Sequence, residues 1–501
     1  MREIDFIFCE NLSRLTYCNP FLPLRIQLEK ECLGLKGDDN CEVWHIGMDP
    51  MASRPAIVPI KEKASQTLKT FQGWIQQGGV LDDEKFRLYE DLVTFELYHM
   101  VHQDLEPLID IGAKGRSAHL KEVWQRFSNA YSIHFSPTFL GEVKGPGAEH
   151  LFACSYQIRK AFIHTFGFIA GRSEPAIKLR ASIWQSLFTH DPLRYRKHLY
   201  RSLPLHTTLI TGPSGTGKEL VARAIGMSGY QAFDSSSMTF EGDDSPIYTE
   251  MNLSALPANL VESELFGHAK GAFTGALKDR IGRLEACPAQ GSIFIDEIGE
   301  IDESIQVKLL RVLQERTFQR VGENGNRKFM GKCLVATNRD LEHEIQQGTF
   351  RRDLYYRLCS DQIRTPSLRS ILQSEPEELL SFLHYIAKKS LPDEACEAPV
   401  REAETWIREN LPEDYPWHGN FRELEQCFNN LLIRGDYQPS TLDSASESDP
   451  WLFSISKGDL TADELLNVYC QRLHDKLGSF EEAGRALGID PRTVKSRALK
   501  A

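Results

Sequence analysis

Across residues 61–105 and again across 118–132, apolar positions recur three to four residues apart, the spacing of one buried helical face, and Gly78-Gly79 interrupts the first run. Residues 1–170 are therefore expected to be mostly helical, with some strand at the start. From Ser173 to Tyr437 the pattern changes to short continuous apolar runs alternating with helical segments, which predicts a parallel sheet flanked by helices. Thr208-Leu209-Ile210-Thr211, Ser292-Ile293-Phe294-Ile295 and Cys333-Leu334-Val335-Ala336 read as its buried strands. Residues 438–450 are rich in Ser, Asp and Pro without an apolar cluster and read as a linker, after which a short helical tail closes the chain.

At 501 residues the chain is long for one core, and about 150 residues per domain gives roughly three. With hydrophobic residues at 41% and charged residues at 26%, the composition is that of a globular protein and excludes a fibrous or disordered chain. The opening residues carry acids and no cleavage signal, and no apolar run approaches about 18 residues, so no secretory leader, no membrane partner and a cytoplasmic location are expected. A net charge of -12 argues against nucleic acid along the whole surface but leaves room for one basic module. The 11 cysteines read as reduced thiols. Cys9, Cys18, Cys32 and Cys41 crowd the N-terminus at gaps wider than metal sites usually use, so no metal is expected there.

The strand at Thr208 runs into Gly212-Pro213-Ser214-Gly215-Thr216-Gly217-Lys218-Glu219 and then a helix. This is a P-loop: its glycines let backbone N–H groups face phosphates, the helix N-terminus adds positive potential, and Lys218 meets the β and γ oxygens. Glu219 stands where Ser or Thr usually offers a hydroxyl to Mg²⁺. A second acidic motif, Asp296-Glu297, ends the apolar run at Ser292, placing Asp296 to hold Mg²⁺ and Glu297 to polarise water. Asn338, after the run at Cys333, fits a sensor of the γ-phosphate. The implied cofactors are ATP and Mg²⁺.

Between these motifs lies Gly271-Ala272-Phe273-Thr274-Gly275-Ala276, preceded by Glu262-Ser263-Glu264-Leu265-Phe266-Gly267-His268. Together with the P-loop, this stretch resembles the AAA+ ATPase domain of bacterial enhancer-binding proteins, the activators of sigma-54 RNA polymerase. The small residues around one aromatic and one hydroxyl also suit a narrow hairpin offering Phe273 and Thr274 to a partner. The resemblance implies that residues 271–276 contact sigma-54, that Asn252 restrains Glu297, that Arg351 and Arg357 reach a neighbour's nucleotide as fingers, and that Arg422 is the lid's sensor arginine. It implies a ring homo-oligomer, a hexamer in the family, with active sites between subunits. In Trp417-His418-Gly419-Asn420-Phe421-Arg422, His418 and Phe421 replace the family's proline and smaller aliphatic residue. Segments 194–205 and 231–248 are longer than the family pattern, and read equally as surface loops or regulatory contacts.

The tail, from Phe480 through Gly488 and Asp490-Pro491 to Arg497, is similar to a Fis-type helix-turn-helix. Ala483, Leu487 and Val494 are spaced to pack two helices across Gly488, with Asp490 as cap and Pro491 at the first helical position. Residues 485–501 carry five basic side chains against one acid. Arg492, Thr493, Lys495, Ser496, Arg497 and Lys500 are the expected DNA contacts. The expected architecture is an unassigned, mostly helical N-terminal regulatory region (1–170), an α/β AAA+ P-loop core (171–365), a helical lid (366–437), a linker (438–459) and a small all-α helix-turn-helix (460–501). The reading is a sigma-54-dependent activator that binds upstream DNA and couples ATP hydrolysis to remodelling of the polymerase. Its rivals are a DNA-binding regulator whose AAA+ module serves assembly only, and a remodeller of another protein.

Overall fold

The computed structural model describes residues 4–35, 54–109, 116–136, 145–242, 247–439 and 461–499. They form two compact units, Met1–Leu432 and Ile433–Ala501, each taken by itself. The expected linker falls almost wholly at residues 440–460, outside the described residues.

The first unit opens with helices Phe6–Thr16, Leu24–Leu33, Ile57–Gln76, Asp83–Val101, Arg116–His134 and Ala148–Phe168. The strand expected at the start is instead the helix Phe6–Thr16. Phe8, Leu12 and Leu15 recur at helical spacing and are at most 1% exposed, and the Asp5 carboxylate accepts from the Phe8 N–H at 3.0 Å, capping the first turn. Gly78, at φ 91°, breaks the chain between Ile57–Gln76 and Asp83–Val101 as the pattern implies.

A five-stranded sheet follows, formed by β1 (Thr208–Thr211), β2 (Tyr248–Asn252), β3 (Ser292–Asp296), β4 (Lys332–Thr337) and β5 (Asp361–Arg364) in the order β5-β1-β4-β3-β2. Every pairing is parallel, so all strands end at one edge, with Thr211 beside Thr337 and Asn252 beside Asp296. β4 lies near the middle and is buried at every position, consistent with its uninterrupted apolar run. Helices Leu368–Ser374, Glu378–Ala387, Glu397–Asn410 and Asn420–Arg434 follow the sheet.

Both long segments are docked on the N-terminal helices. In the second, Phe233–Asp234 pairs antiparallel with Thr239–Phe240, and the Phe233 ring sits 4.9 Å from Trp124 and 4.8 Å from Phe152. Phe240 stacks on Tyr156 at 4.1 Å and is 1% exposed. In the first, Arg196 is 5% exposed, forms an ion pair with the equally buried Glu90, and donates to the Thr94 hydroxyl at 3.3 Å. Tyr195 donates to the Gln157 side chain at 3.0 Å. A surface-loop reading therefore fails at Tyr195, Arg196, Phe233 and Phe240, which are buried against other elements, whereas Arg194, Lys197, Asp234 and Glu241 stay exposed.

In the second unit, helices Ala462–Leu477, Phe480–Leu487 and Pro491–Ala498 close over Cys470, Ala483 and Val494, each fully buried. Gly488 makes the turn at φ 68° and Asp490 accepts from the Arg492 N–H at 2.8 Å, as the cap expected of it.

Phe240→Ala removes a buried ring that ties the 231–248 segment to the N-terminal helices. We expect a loss of about 3–5 kcal/mol, seen as a lower first transition in a thermal melt of the full chain.

Candidate active site

Past Thr211 the chain turns through Gly212, Gly215 and Gly217, at φ 147°, 75° and 86°, into the helix Lys218–Gly226. Two of these glycines are fixed by contact as well as by φ: a Cβ at Gly212 would collide with the Thr365 hydroxyl, and one at Gly215 with the Gly419 carbonyl. Lys218 is 8% exposed and donates to the carbonyls of Gly212 and Pro213 at 3.0 and 3.1 Å. Burial lowers its pKa, opposed by the nearby carboxylates of Glu297 and Asp296.

Asp296 and Glu297 stand at the end of β3. Burial raises the Asp296 pKa, while the Glu297 N–H donates to it at 3.0 Å. The Asn252 amide donates to the other Asp296 oxygen at 3.2 Å, and its own carbonyl accepts from the Ser254 N–H and hydroxyl at 3.0 and 2.7 Å. Asn252 thus meets Asp296 and not Glu297, because the β2–β3 register sets those two residues opposite each other. Glu297 sits in left-handed backbone at φ 56°, costly for a residue with a side chain, and its carboxylate accepts from the Asn338 N–H at 3.4 Å.

The lid reaches the P-loop through Arg422 and through Asn420, Phe421 and Thr365, which sequence reading left without a role in the site. Asn420, itself at φ 52°, donates to the Ser214 carbonyl and accepts from the Leu368 N–H, both at 2.9 Å. The Phe421 N–H donates to the Gly215 carbonyl at 3.0 Å and Arg422 to the Ser214 hydroxyl at 3.2 Å. Thr365 donates its N–H to the Thr211 carbonyl at 2.8 Å, and its hydroxyl lies 2.6 Å from that of Thr216. The signal for Asn420 was its place between Gly419 and a helix start, since asparagine tolerates left-handed backbone better than most residues. Phe421 packs edge-on against Phe382 at 4.9 Å, filling the lid with its larger ring, and His418 is exposed.

These groups enclose a cleft of about 320 Å³. At one end stand Lys218, Glu219, Asp296, Glu297 and Arg422; at the other Ile169, Leu179, Ile371 and Tyr385 supply an apolar wall. A buried ammonium held by carbonyls, a loop stripped of side chains and a nearby carboxylate pair fit a polyphosphate with a divalent cation, and the apolar end fits a flat base. Arg351 and Arg357 do not line this cleft. Arg351 is bound to Asp353 at 2.8 Å and lies 3.6 Å from Glu303, whereas Arg357 is exposed.

Residues 271–276 form a turn beyond the antiparallel pair Gly267–His268 and Arg280–Ile281, closed by the Gly271 N–H on the Ala276 carbonyl at 2.8 Å. Gly271 and Gly275 take φ 81° and 106°, Thr274 is exposed, and Phe273 is 40% exposed with its ring against His268. In the tail unit, Arg492, Thr493, Lys495 and Ser496 are exposed on Pro491–Ala498. Arg497, expected to project, instead donates to Asp463 at 3.0 Å and Asn467 at 3.2 Å on the first tail helix. Lys500 and Cys41 lie outside the described residues. Burial pushes the Cys9 and Cys32 thiols up to about 12. Among the described residues no cluster of His, Cys, Asp or Glu could hold a metal ion, and no helix is long and apolar enough to cross a membrane.

Residues 194–364 match the family described as the sigma-54 interaction domain. The chain is 40% identical over 304 residues to a Nif-specific regulatory protein of Azotobacter vinelandii, an alignment covering 58% of this chain and 53% of that protein. It is 39% identical over 295 residues to the transcriptional regulatory protein ZraR of Escherichia coli (strain K12), covering 58% of this chain and 62% of that one. The chain thus spans about half to three-fifths of the length of these relatives. A solved NtrX structure from Brucella abortus, in complex with ADP, is similar at 22% identity and a TM-score of 0.41, covering 76% of this chain and 86% of that one.

Gly215→Ala forces the P-loop away from Gly419. Binding of a fluorescent ATP analogue is expected to weaken roughly tenfold or more, equivalent to about 1.4 kcal/mol, with the far-ultraviolet circular dichroism spectrum unchanged.

Proposed function

We propose, from the premise that residues 194–364 are a sigma-54 interaction domain, that the chain is an ATP-driven activator of transcription by sigma-54 RNA polymerase. The observation that carries the reading is the joint presence, in one unit, of a cleft lined by Lys218, Asp296 and Glu297 and an outward turn presenting Phe273 and Thr274. An assembly-only module has no need of a carboxylate pair at the end of β3 beside a buried lysine.

In this reading Lys218 and Arg422 would hold the phosphates, the glycine loop leaves its N–H groups free to approach them, and Asp296 with Glu219 would hold Mg²⁺. The cation supplies neutralisation of phosphate charge. Glu297 accepts a proton from the attacking water. Its carboxylate is tethered to the Asn338 N–H, so a γ-phosphate near Asn338 is sensed where the base is held. Asn252 acts on this base through Asp296, whose oxygens both residues 252 and 297 occupy. Arg351 and Arg357, outside their own chain's cleft, complete the site of a neighbouring copy in a hexameric ring; an arginine acting in trans is worth about 10³ or more in rate. Residues 271–276 move with nucleotide state and press on sigma-54. Arg492, Thr493, Lys495 and Ser496 read upstream DNA in the major groove. Arg497 braces the recognition helix from behind.

ATP hydrolysis per mole of protein is expected to rise with protein concentration in the wild type and to collapse, by about 10³-fold, in Arg357→Ala. Flat hydrolysis across concentration moves the reading to a regulator whose ATPase fold serves assembly. Glu297→Ala should keep ATP binding and lose turnover. Thr274→Ala should keep turnover and lose open-complex formation on a sigma-54 promoter; a Thr274→Ala protein that still opens the promoter removes the loop's assigned role.

A further inference from the structure

A second cavity, of about 170 Å³, lies away from the ATP cleft, between the N-terminal helices and the segment that leads into β1. Its walls come from helices Asp83–Val101, Ala148–Phe168 and Glu174–Phe188 and from the turn that carries Pro192, Tyr195 and Arg196. Phe95, Tyr98, Phe162 and Trp184 make it mainly aromatic. Its size is that of an engineered cavity of about 150 Å³ that accepts benzene.

Its polar lining is one-sided. Among the described residues four arginines line it and no carboxylate does: the acids that pair with them, Glu29, Glu90 and Glu106 among them, stand behind the wall. Three nitrogen atoms of the lining are buried without a hydrogen-bond partner among the described residues, namely Trp184 Nε1, Arg196 Nε and His99 Nδ1. Trp184 and Arg196 are 7% and 5% exposed. Indole and guanidinium nitrogens can only donate, and buried donors in folded proteins are nearly always satisfied. His99 is held neutral by burial and by the positive charges of its neighbours. Acceptor oxygens on an otherwise apolar, ring-sized body answer all of these features at once.

We propose that this cavity is a binding site for a small aromatic carboxylate, its oxygens accepting from Arg196 and Trp184 and its ring lying among Phe95, Tyr98 and Phe162. The occupant touches both the N-terminal helices and the first residues of the sigma-54 interaction domain, which begins at 194. It therefore acts as a wedge or a bridge at the joint between the input region and the ATPase core. Arg196 is the residue placed to report it, since it belongs to the matched domain yet is anchored on Glu90 of the helix Asp83–Val101.

The test is isothermal titration of the full chain with sodium benzoate and with benzamide, the neutral isostere, in the absence of nucleotide, so that the readout is independent of ATP turnover. The expected result is saturable one-site binding of benzoate, at least about tenfold tighter than benzamide. Trp184→Phe keeps an aromatic wall but removes the N–H together with the five-membered ring of the indole; it should weaken benzoate about fivefold or more while leaving the weaker benzamide binding nearly unchanged, whereas an effect of the lost ring area alone would weaken both alike. Cys18→Phe, which fills the cavity from its half-buried wall position, should abolish binding. Thermal melts establish that each variant is folded, and if Cys18→Phe is not, Trp184→Phe decides. No binding of benzoate at 10 mM (roughly the millimolar limit of a useful site), equal binding of benzamide, or unchanged affinity in Trp184→Phe overturns the proposal.

Discussion

The lid can lie on the P-loop only because position 215 has no side chain. The Gly419 carbonyl occupies the space a Cβ would take, and this close approach lets Asn420 and the Phe421 N–H bond to the carbonyls of Ser214 and Gly215. From that clasp the rest of the site follows. Arg422 is delivered to Ser214, Lys218 is turned back onto Gly212 and Pro213, and a cleft in which these cations stand beside Glu219, Asp296 and Glu297, with an apolar end, is left between lid and sheet. Main-chain partners carry most of this contact, so its geometry depends on backbone shape at a few glycines and one asparagine more than on side-chain packing.

Parallel pairing supplies the second constraint. With all five strands ending at one edge, Thr211, Asn252, Asp296 and Thr337 arrive together, and each is set by register instead of by a flexible loop. Register also decides who bonds to whom. Asn252 is opposite Asp296, and Glu297, one residue further, has left the strand in a left-handed conformation that turns its carboxylate to the Asn338 N–H. A carboxylate held by a main-chain donor at the neighbouring strand end is freed when another acceptor takes the Asn338 N–H.

The N-terminal helices are tied to the sheet-bearing core through two different kinds of contact. The hairpin at Phe233 and Phe240 inserts rings among Trp124, Phe152 and Tyr156, a non-directional apolar anchor. Arg196 is held by Glu90 in a buried ion pair, which adds little net stability but demands one geometry, since either partner left alone would be a buried, uncompensated charge. The joint thus combines one adaptable and one exacting contact, and the exacting one sets where the chain leading to β1 meets the helix Asp83–Val101.

Local shape was legible in the sequence: a glycine loop at Gly212 to Glu219, acids at the end of a buried strand at Asp296 and Glu297, a protruding turn at residues 271–276 and a capped helix pair around Gly488 are each written in contiguous residues whose local conformation follows from their type. Periodicity also carried the helical character of residues 61–105. The opening segment misled because a run as short as Phe6 to Leu15 supports either period until the burial of Phe8, Leu12 and Leu15 selects one. Only the tertiary structure decided that Asn252 meets Asp296, that Asn420 and Thr365 bind the lid to the loop, that Arg497 folds back on Asp463, and that the segments around Arg196 and Phe240 are docked instead of exposed. Those outcomes rest on register and on contacts between residues tens to more than a hundred positions apart, as from Glu90 to Arg196, and no local pattern encodes which distant partner a side chain will find.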